Sequence, residues 1–144
     1  MKQNSVQTIG AAVVGASLAA SAVLAAEKPA DADNFYQSSK VTVQKVTFPN
    51  QYKMKVAGNL IVPKELAKGS RLPAIIIGHP MGAVKEQSAN LYGMKMAERG
   101  FVTLPIDLTF WGGSKGEPRN AVSPDLYAEA FSAAADYLRS LPFV

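Results

Sequence analysis

The stretch Leu72-Pro-Ala-Ile-Ile-Ile-Gly-His-Pro-Met-Gly82 constrains this chain more than any other. Ala74 to Ile77 is a short apolar run rich in β-branched residues, and the breaker cluster Gly78 to Gly82 stops it. A run that is apolar at every position, without alternation, suits a parallel strand covered on both faces. Helical periodicity sets in at about Gln87, so the local order is strand, glycine-flanked turn, helix.

The same reading extends in both directions. Val41, Val43 and Val46, with Thr42, Thr47 and Phe48, form a β-rich segment that ends at Pro49-Asn50. Met54, Val56, Leu60, Ile61 and Val62 form a second one, stopped by Pro63. The short Pro49-Asn50-Gln51 turn between them predicts a hairpin. A helix from about Gln87 to Arg99 should bury Leu91, Met94 and Ala97, with Gly100 at its C′ position. A fourth strand runs from Phe101 to Ile106 and closes at Asp107. After a long glycine-bearing loop, Ser123 and Pro124 read as N-cap and N1 of a last helix. Its apolar positions are Tyr127, Ala130, Phe131, Ala134, Tyr137, Leu138 and Leu141. The order β-β-β-α-β-α fits a hairpin leading into βαβ units, an α/β arrangement.

The chain of 144 residues suggests one domain, and its net charge is +4. The basic residues are scattered singly, with no run or helical stripe, so a nucleic-acid partner is not expected. The absence of cysteine excludes disulfides and thiol nucleophiles. With one histidine besides, no metal site and no cofactor are expected.

Between Lys2 and Glu27 there is no charged residue, and Ile9 to Ala26 is composed of Ala, Val, Leu, Gly and Ser. One positive charge, an apolar stretch and small residues at its end describe a secretory signal peptide. Cleavage is expected after Ala25 or Ala26, placing the mature protein in a bacterial periplasm or outside the cell. A retained membrane anchor is the alternative that the length permits, but the segment is only modestly hydrophobic. Stable membrane association is therefore not expected. The organisation is then a signal peptide at 1–26, a polar lead-in at 27–39 and the folded part at 40–144.

Several pieces, in this order and spacing, resemble the α/β-hydrolases. They are Gly58-Asn59-Leu60-Ile61-Val62-Pro63, the turn His79-Pro80-Met81-Gly82, Lys85-Glu86-Gln87, Gly100-Phe101, Asp107, and Gly112-Gly113-Ser114-Lys115-Gly116. Within that superfamily the sequence is most similar to dienelactone-hydrolase-like and related bacterial esterases. The resemblance covers about Val41 to Val144 and implies the amino-terminal half of the fold, with an incomplete sheet. It implies that the backbone N–H of Met81 is an oxyanion-hole donor, with His79 and Gly82 shaping the turn, and that Asp107, Trp111 and Ser114 lie in a loop near the site. The substrate implied is a small carboxylic ester or similar acyl compound. Nucleophile, acid and base are all expected beyond Val144, so that no catalytic residue falls in this chain and the chain alone is inactive. A non-catalytic secreted binding module built on the same half-fold is the competing expectation.

Gly112-Gly113-Ser114-Lys115-Gly116 also matches the string G-x-S-x-G. A nucleophile elbow needs a strand immediately before the serine and a helix immediately after it. Here the strand ends near Asp107 and the helix waits until Pro124, so Ser114 is expected in a flexible loop at the rim, with Asp107 as a structural acceptor.

Overall fold

The computed structural model describes residues 35–67 and 69–144. The signal peptide expected at 1–26 and the first part of the lead-in lie outside the described residues. Six elements follow one another: β1 (Val41–Pro49), β2 (Lys55–Pro63), β3 (Ala74–Ile77), α1 (Ser88–Ala97), β4 (Val102–Pro105) and α2 (Pro124–Arg139). The four strands form one sheet in the order β1-β2-β4-β3.

β1 and β2 are the expected antiparallel hairpin, paired from Val41 opposite Pro63 to Pro49 opposite Lys55. The Asn50 side chain makes the turn: its Oδ1 accepts from the N–H groups of Tyr52 (3.1 Å) and Met54 (2.9 Å). Asparagine does this readily because its short side chain imitates a backbone carbonyl. β2 meets β4 antiparallel, Ile61 opposite Thr103, whereas β3 and β4 run parallel, Ala74 to Ile77 against Val102 to Pro105. The crossover joining those two parallel strands is α1.

Alternation along β4 divides the core between the two faces of the sheet. Val102, Leu104 and Ile106 join Val46, Phe48, Val56 and Leu60 under α2, which contributes Ala130, Ala133, Ala134 and Leu138. On the other face Ile61 and Val41 pack with Met94 and Ala97 of α1. Gly93 lets α1 approach closely, since a Cβ there would lie 2.8 Å from Pro105 and 3.0 Å from Ile61. Gly100 (φ +93°) ends α1 in a Schellman arrangement: its N–H reaches Ala97 O, and the Phe101 N–H reaches Met96 O. α2 begins as expected, with Ser123 Oγ accepting from the Leu126 N–H ahead of Pro124.

β4 is buried along its whole length, whereas β3 is half-buried at all four positions because it forms the edge of the incomplete sheet. One detail departs from the sequence reading. Phe131, expected on the buried face of α2, remains 37% exposed and lies over Gly78, where a Cβ would come within 2.6 Å of its ring. The residues after α2 return to the open side of β3: the Leu72 N–H donates to Phe143 O (2.9 Å), and Arg71 holds Val144 O.

Candidate functional site

In open α/β sheets, ligand crevices form beyond the carboxyl ends of the parallel strands. Here those ends are the turn that follows Ile77 and the loop that follows Pro105, and nearly all the residues singled out in the sequence lie on them.

His79 is 6% exposed. Its Nε2 lies 3.1 Å from the Leu108 nitrogen and its Nδ1 2.9 Å from Pro80 O. A backbone N–H can only donate, so Nε2 is the acceptor and the ring proton sits on Nδ1, pointing at Pro80 O. Both ring nitrogens are thus engaged in backbone hydrogen bonds, and the ring stands edge-on to Trp111, centroids 6.0 Å apart. Beyond it, Pro80 O also accepts the Ala83 N–H (3.1 Å), and Gly82 turns the backbone at φ +79°. Met81 stands at the apex with its side chain 80% exposed. Its N–H donates to no acceptor among the described residues.

Asp107 is fully buried. Its Oδ1 accepts from the Lys85 N–H (2.8 Å), and its Oδ2 from Lys85 Nζ (2.6 Å) and the Gly113 N–H (2.7 Å). Lys85 is itself buried, and Glu86 meets its ammonium from the more exposed side at 2.7 Å. Burial is the largest single influence on the Lys85 ammonium and pulls its pKa down. The hydrogen bonds and charges of Asp107 and Glu86 together outweigh it, and hold the pKa above the ordinary lysine value.

The glycine loop is shaped around that carboxylate. Gly112 lies at φ +49°, and a Cβ there would fall on the Asp107 carboxyl group. Gly116, at φ +129°, leaves the space that the Phe110 ring fills. Arg119 clasps the loop, donating to Ser114 O (2.6 Å) and Gly112 O (2.8 Å). Ser114 lies beneath the loop, 2% exposed, not at the rim. Its Oγ donates to Asp107 O (2.6 Å) and accepts from the Ala57 N–H (2.9 Å). Trp111 donates through Nε1 to Ala121 O (3.1 Å) and Tyr127 Oη (2.7 Å), which ties the loop to the start of α2.

The structure therefore brings His79, Asp107, Trp111 and Ser114 into one region without making a triad of them. The hydroxyl, the imidazole and the carboxylate each hydrogen-bond elsewhere. Sequence reasoning named Lys85 only as part of a helix opening and passed over Arg119. A signal for Lys85 existed: an aspartate that ends a buried strand requires donors, and a charged one is the strongest kind. Among the described residues no group of three or more His, Cys, Asp or Glu side chains could hold a metal ion, and no helix is long and apolar enough to cross a membrane. A surface groove of about 510 Å³ lined by Phe48, Asn50, Glu129 and Tyr137 shares no residue with this region.

No protein-family model matches the chain. The uncharacterized protein PA2218 of Pseudomonas aeruginosa is 54% identical over 110 residues, which are 76% of this chain and 29% of that protein. Its crystal structure superposes with a TM-score of 0.73 at 53% identity, covering 79% of this chain and 35% of that one. The uncharacterized protein YcjY of Escherichia coli is 38% identical over 102 residues, 69% of this chain and 33% of its own length. The chain thus spans about a third of the length of these curated relatives. The α/β-hydrolase GrgF from Penicillium sp. sh18 matches with a TM-score of 0.63 and 25% identity over 72% of this chain and 34% of that one. Esterases share the fold at 15–17% identity with TM-scores of 0.51–0.58.

Fold and neighbours together define the class: this chain carries part of the α/β-hydrolase fold, its sheet open at β3.

Proposed function

We propose that this sequence is the amino-terminal portion of an exported hydrolase of the dienelactone-hydrolase-like and bacterial esterase group, acting on a small carboxylic ester or similar acyl bond. The observation that carries the reading is the Met81 N–H. It is a backbone donor with no acceptor among the described residues, in the turn that follows a parallel strand. Attack on an ester carbonyl places negative charge on the carbonyl oxygen, and a preorganised N–H stabilises that charge where it develops. One such donor is worth about 3–4 kcal/mol of barrier. Because the donor is a backbone group, the exposed Met81 side chain is free to face the substrate.

Nucleophile, general base and acid come, on this reading, from residues that follow Val144. Several features support this. The matched stretch covers only about a third of each curated relative, β3 forms the edge of the sheet, and Phe143 already pairs with Leu72 just ahead of it. The chain alone has no base in place, since both nitrogens of His79 are held by backbone groups.

The test is hydrolysis of short-chain aryl esters by the full-length protein and by the 144-residue chain. Turnover by the former and none above background by the latter is expected. A full-length protein that neither hydrolyses esters nor reacts with a fluorophosphonate would refute the reading and leave a binding module. Activity in the short chain that Ser114→Ala abolishes would place the nucleophile at Ser114 instead.

A further inference from the structure

The turn that carries Met81 is anchored at its two ends to two adjacent residues of the β4 exit. At its start, His79 Nε2 accepts the Leu108 N–H (3.1 Å). At its far end, Lys85 grips the adjacent Asp107 twice, through its backbone N–H (2.8 Å) and its Nζ (2.6 Å). Between the anchors the only backbone hydrogen bond within the turn is the Ala83 N–H to Pro80 O, and Gly82, at φ +79°, directly follows Met81. A segment held at one end only would be free to turn about that glycine. Asp107 in turn is held from the loop side, where the Gly113 N–H donates to its Oδ2 (2.7 Å) and Gly112 leaves the space that the carboxyl group fills.

We propose that Lys85 and Asp107 are positioning residues for the Met81 N–H, their buried ion pair fixing the direction in which that donor points. The proposal rests on the acyl-transfer reading above. A buried ion pair is poor evidence for stability, because desolvation offsets most of its attraction and well-packed apolar residues serve as well or better. Its distinctive contribution is directional: the carboxylate takes three donors from two chain segments and leaves the turn one orientation against the β4 loop. Catalytic donors need that precision, since a misplacement of about 1 Å costs on the order of a hundredfold in rate. Glu86 completes the set from the outer side, holding the Lys85 ammonium at 2.7 Å.

The experiment uses the full-length protein and the double variant Lys85→Met/Asp107→Asn, which removes both charges together and leaves no unpaired buried ion. Active sites are counted by stoichiometric reaction with a fluorophosphonate, so that kcat is expressed per reactive site and misfolded material drops out. The expected result is a kcat lower by roughly a hundredfold with KM for an aryl acetate within about twofold, since ground-state binding does not use the donor. Affinity for a boronic acid, which forms a tetrahedral anion in the site, should fall with kcat. Lys85→Arg, which keeps the charge, should recover part of both. If the double variant yields no folded protein, Lys85→Arg carries the test by itself, with an expected loss of about tenfold in kcat at unchanged KM. Normal kcat per titrated site in whichever variant folds, with only a lower melting temperature, overturns the positioning role and leaves a purely structural pair. A wild-type protein that fails to react with the fluorophosphonate overturns the acyl-transfer reading itself, and the two failures are thereby distinguished.

Discussion

Ser114→Ala should weaken the fold without touching chemistry. The Ser114 hydroxyl serves as a replacement for a strand. β2 pairs with β4 only near Ile61 and Gly58, and beyond that the Ala57 amide faces a gap on the β4 side. The loop fills it in register: the Asp107 N–H donates to Ala57 O (2.9 Å), the Ala57 N–H donates to Ser114 Oγ (2.9 Å), and the Lys115 N–H donates to Lys55 O (2.8 Å). Alanine at 114 removes the middle acceptor and also the donor to Asp107 O (2.6 Å). The bond to Asp107 O is worth about 1 kcal/mol net, and the buried Ala57 N–H left without a partner costs about 1–3 kcal/mol. A loss of about 3 kcal/mol follows. With a urea m-value of about 2 kcal/mol/M, this moves the unfolding midpoint of the full-length protein down by about 1.5 M at unchanged slope. Ester hydrolysis by the folded variant should match that of wild type. An unchanged midpoint would mean that the hydroxyl does not bridge Ala57 and Asp107. A normal midpoint with abolished hydrolysis would mean that the serine is the nucleophile, and the reading of the loop would fail entirely.

Two further outcomes are expected. Because the folded-state pKa of Lys85 is raised, the stability its pairing contributes is present in full below the ordinary lysine value of 10.5 and is lost as pH climbs through the higher folded value; the melting temperature of wild type should therefore fall more steeply in that alkaline window than that of Lys85→Met/Asp107→Asn, and parallel curves would contradict the pairing. Protein recovered outside the cytoplasm should begin at Glu27 or one residue earlier on N-terminal sequencing, whereas an intact Met1 in a membrane fraction would support a retained anchor.

The parts of the fold that were legible in the sequence are those whose determinants are local. The hairpin follows from two β-rich runs around a turn residue, α2 from Ser123-Pro124 and a helical period, and the end of α1 from one glycine. β3 stands at the edge that an incomplete sheet implies, although its unbroken apolar run by itself reports only that a strand wants cover on both faces. It does not report whether the neighbouring strand is at hand. Ala74–Ile77 has the composition of a central strand but holds an edge position, and its half-burial is the difference between the two. An apolar edge of this kind is a template for pairing with any available strand. Phe131 escaped for a related reason. Helical spacing assigns it to the buried face, but its actual neighbour is a glycine in a turn more than fifty positions earlier.

The site was legible as a list of residues and not as a set of partnerships, because its partnerships are long-range. Lys85 and Asp107 are 22 positions apart, and Ser114 and Ala57 are 57 apart. Asp107 at the end of a buried strand announces that donors are required, but nothing in the local sequence says which residue supplies them. The string G-x-S-x-G shows most clearly what a motif leaves undetermined. In a nucleophile elbow the glycines are required because a strained turn must thrust an exposed serine toward substrate. In Gly112-Gly113-Ser114-Lys115-Gly116 they are required because the backbone wraps a buried carboxylate and an aromatic ring, leaving no room for a Cβ at Gly112 or Gly116. The same five letters therefore satisfy two opposite demands, one that exposes the serine and one that buries it. The element that precedes the motif decides between them. A strand running directly into the glycine would have raised the hydroxyl above the sheet; here β4 has already ended at Pro105, and the chain has turned back along β2 before it reaches Ser114.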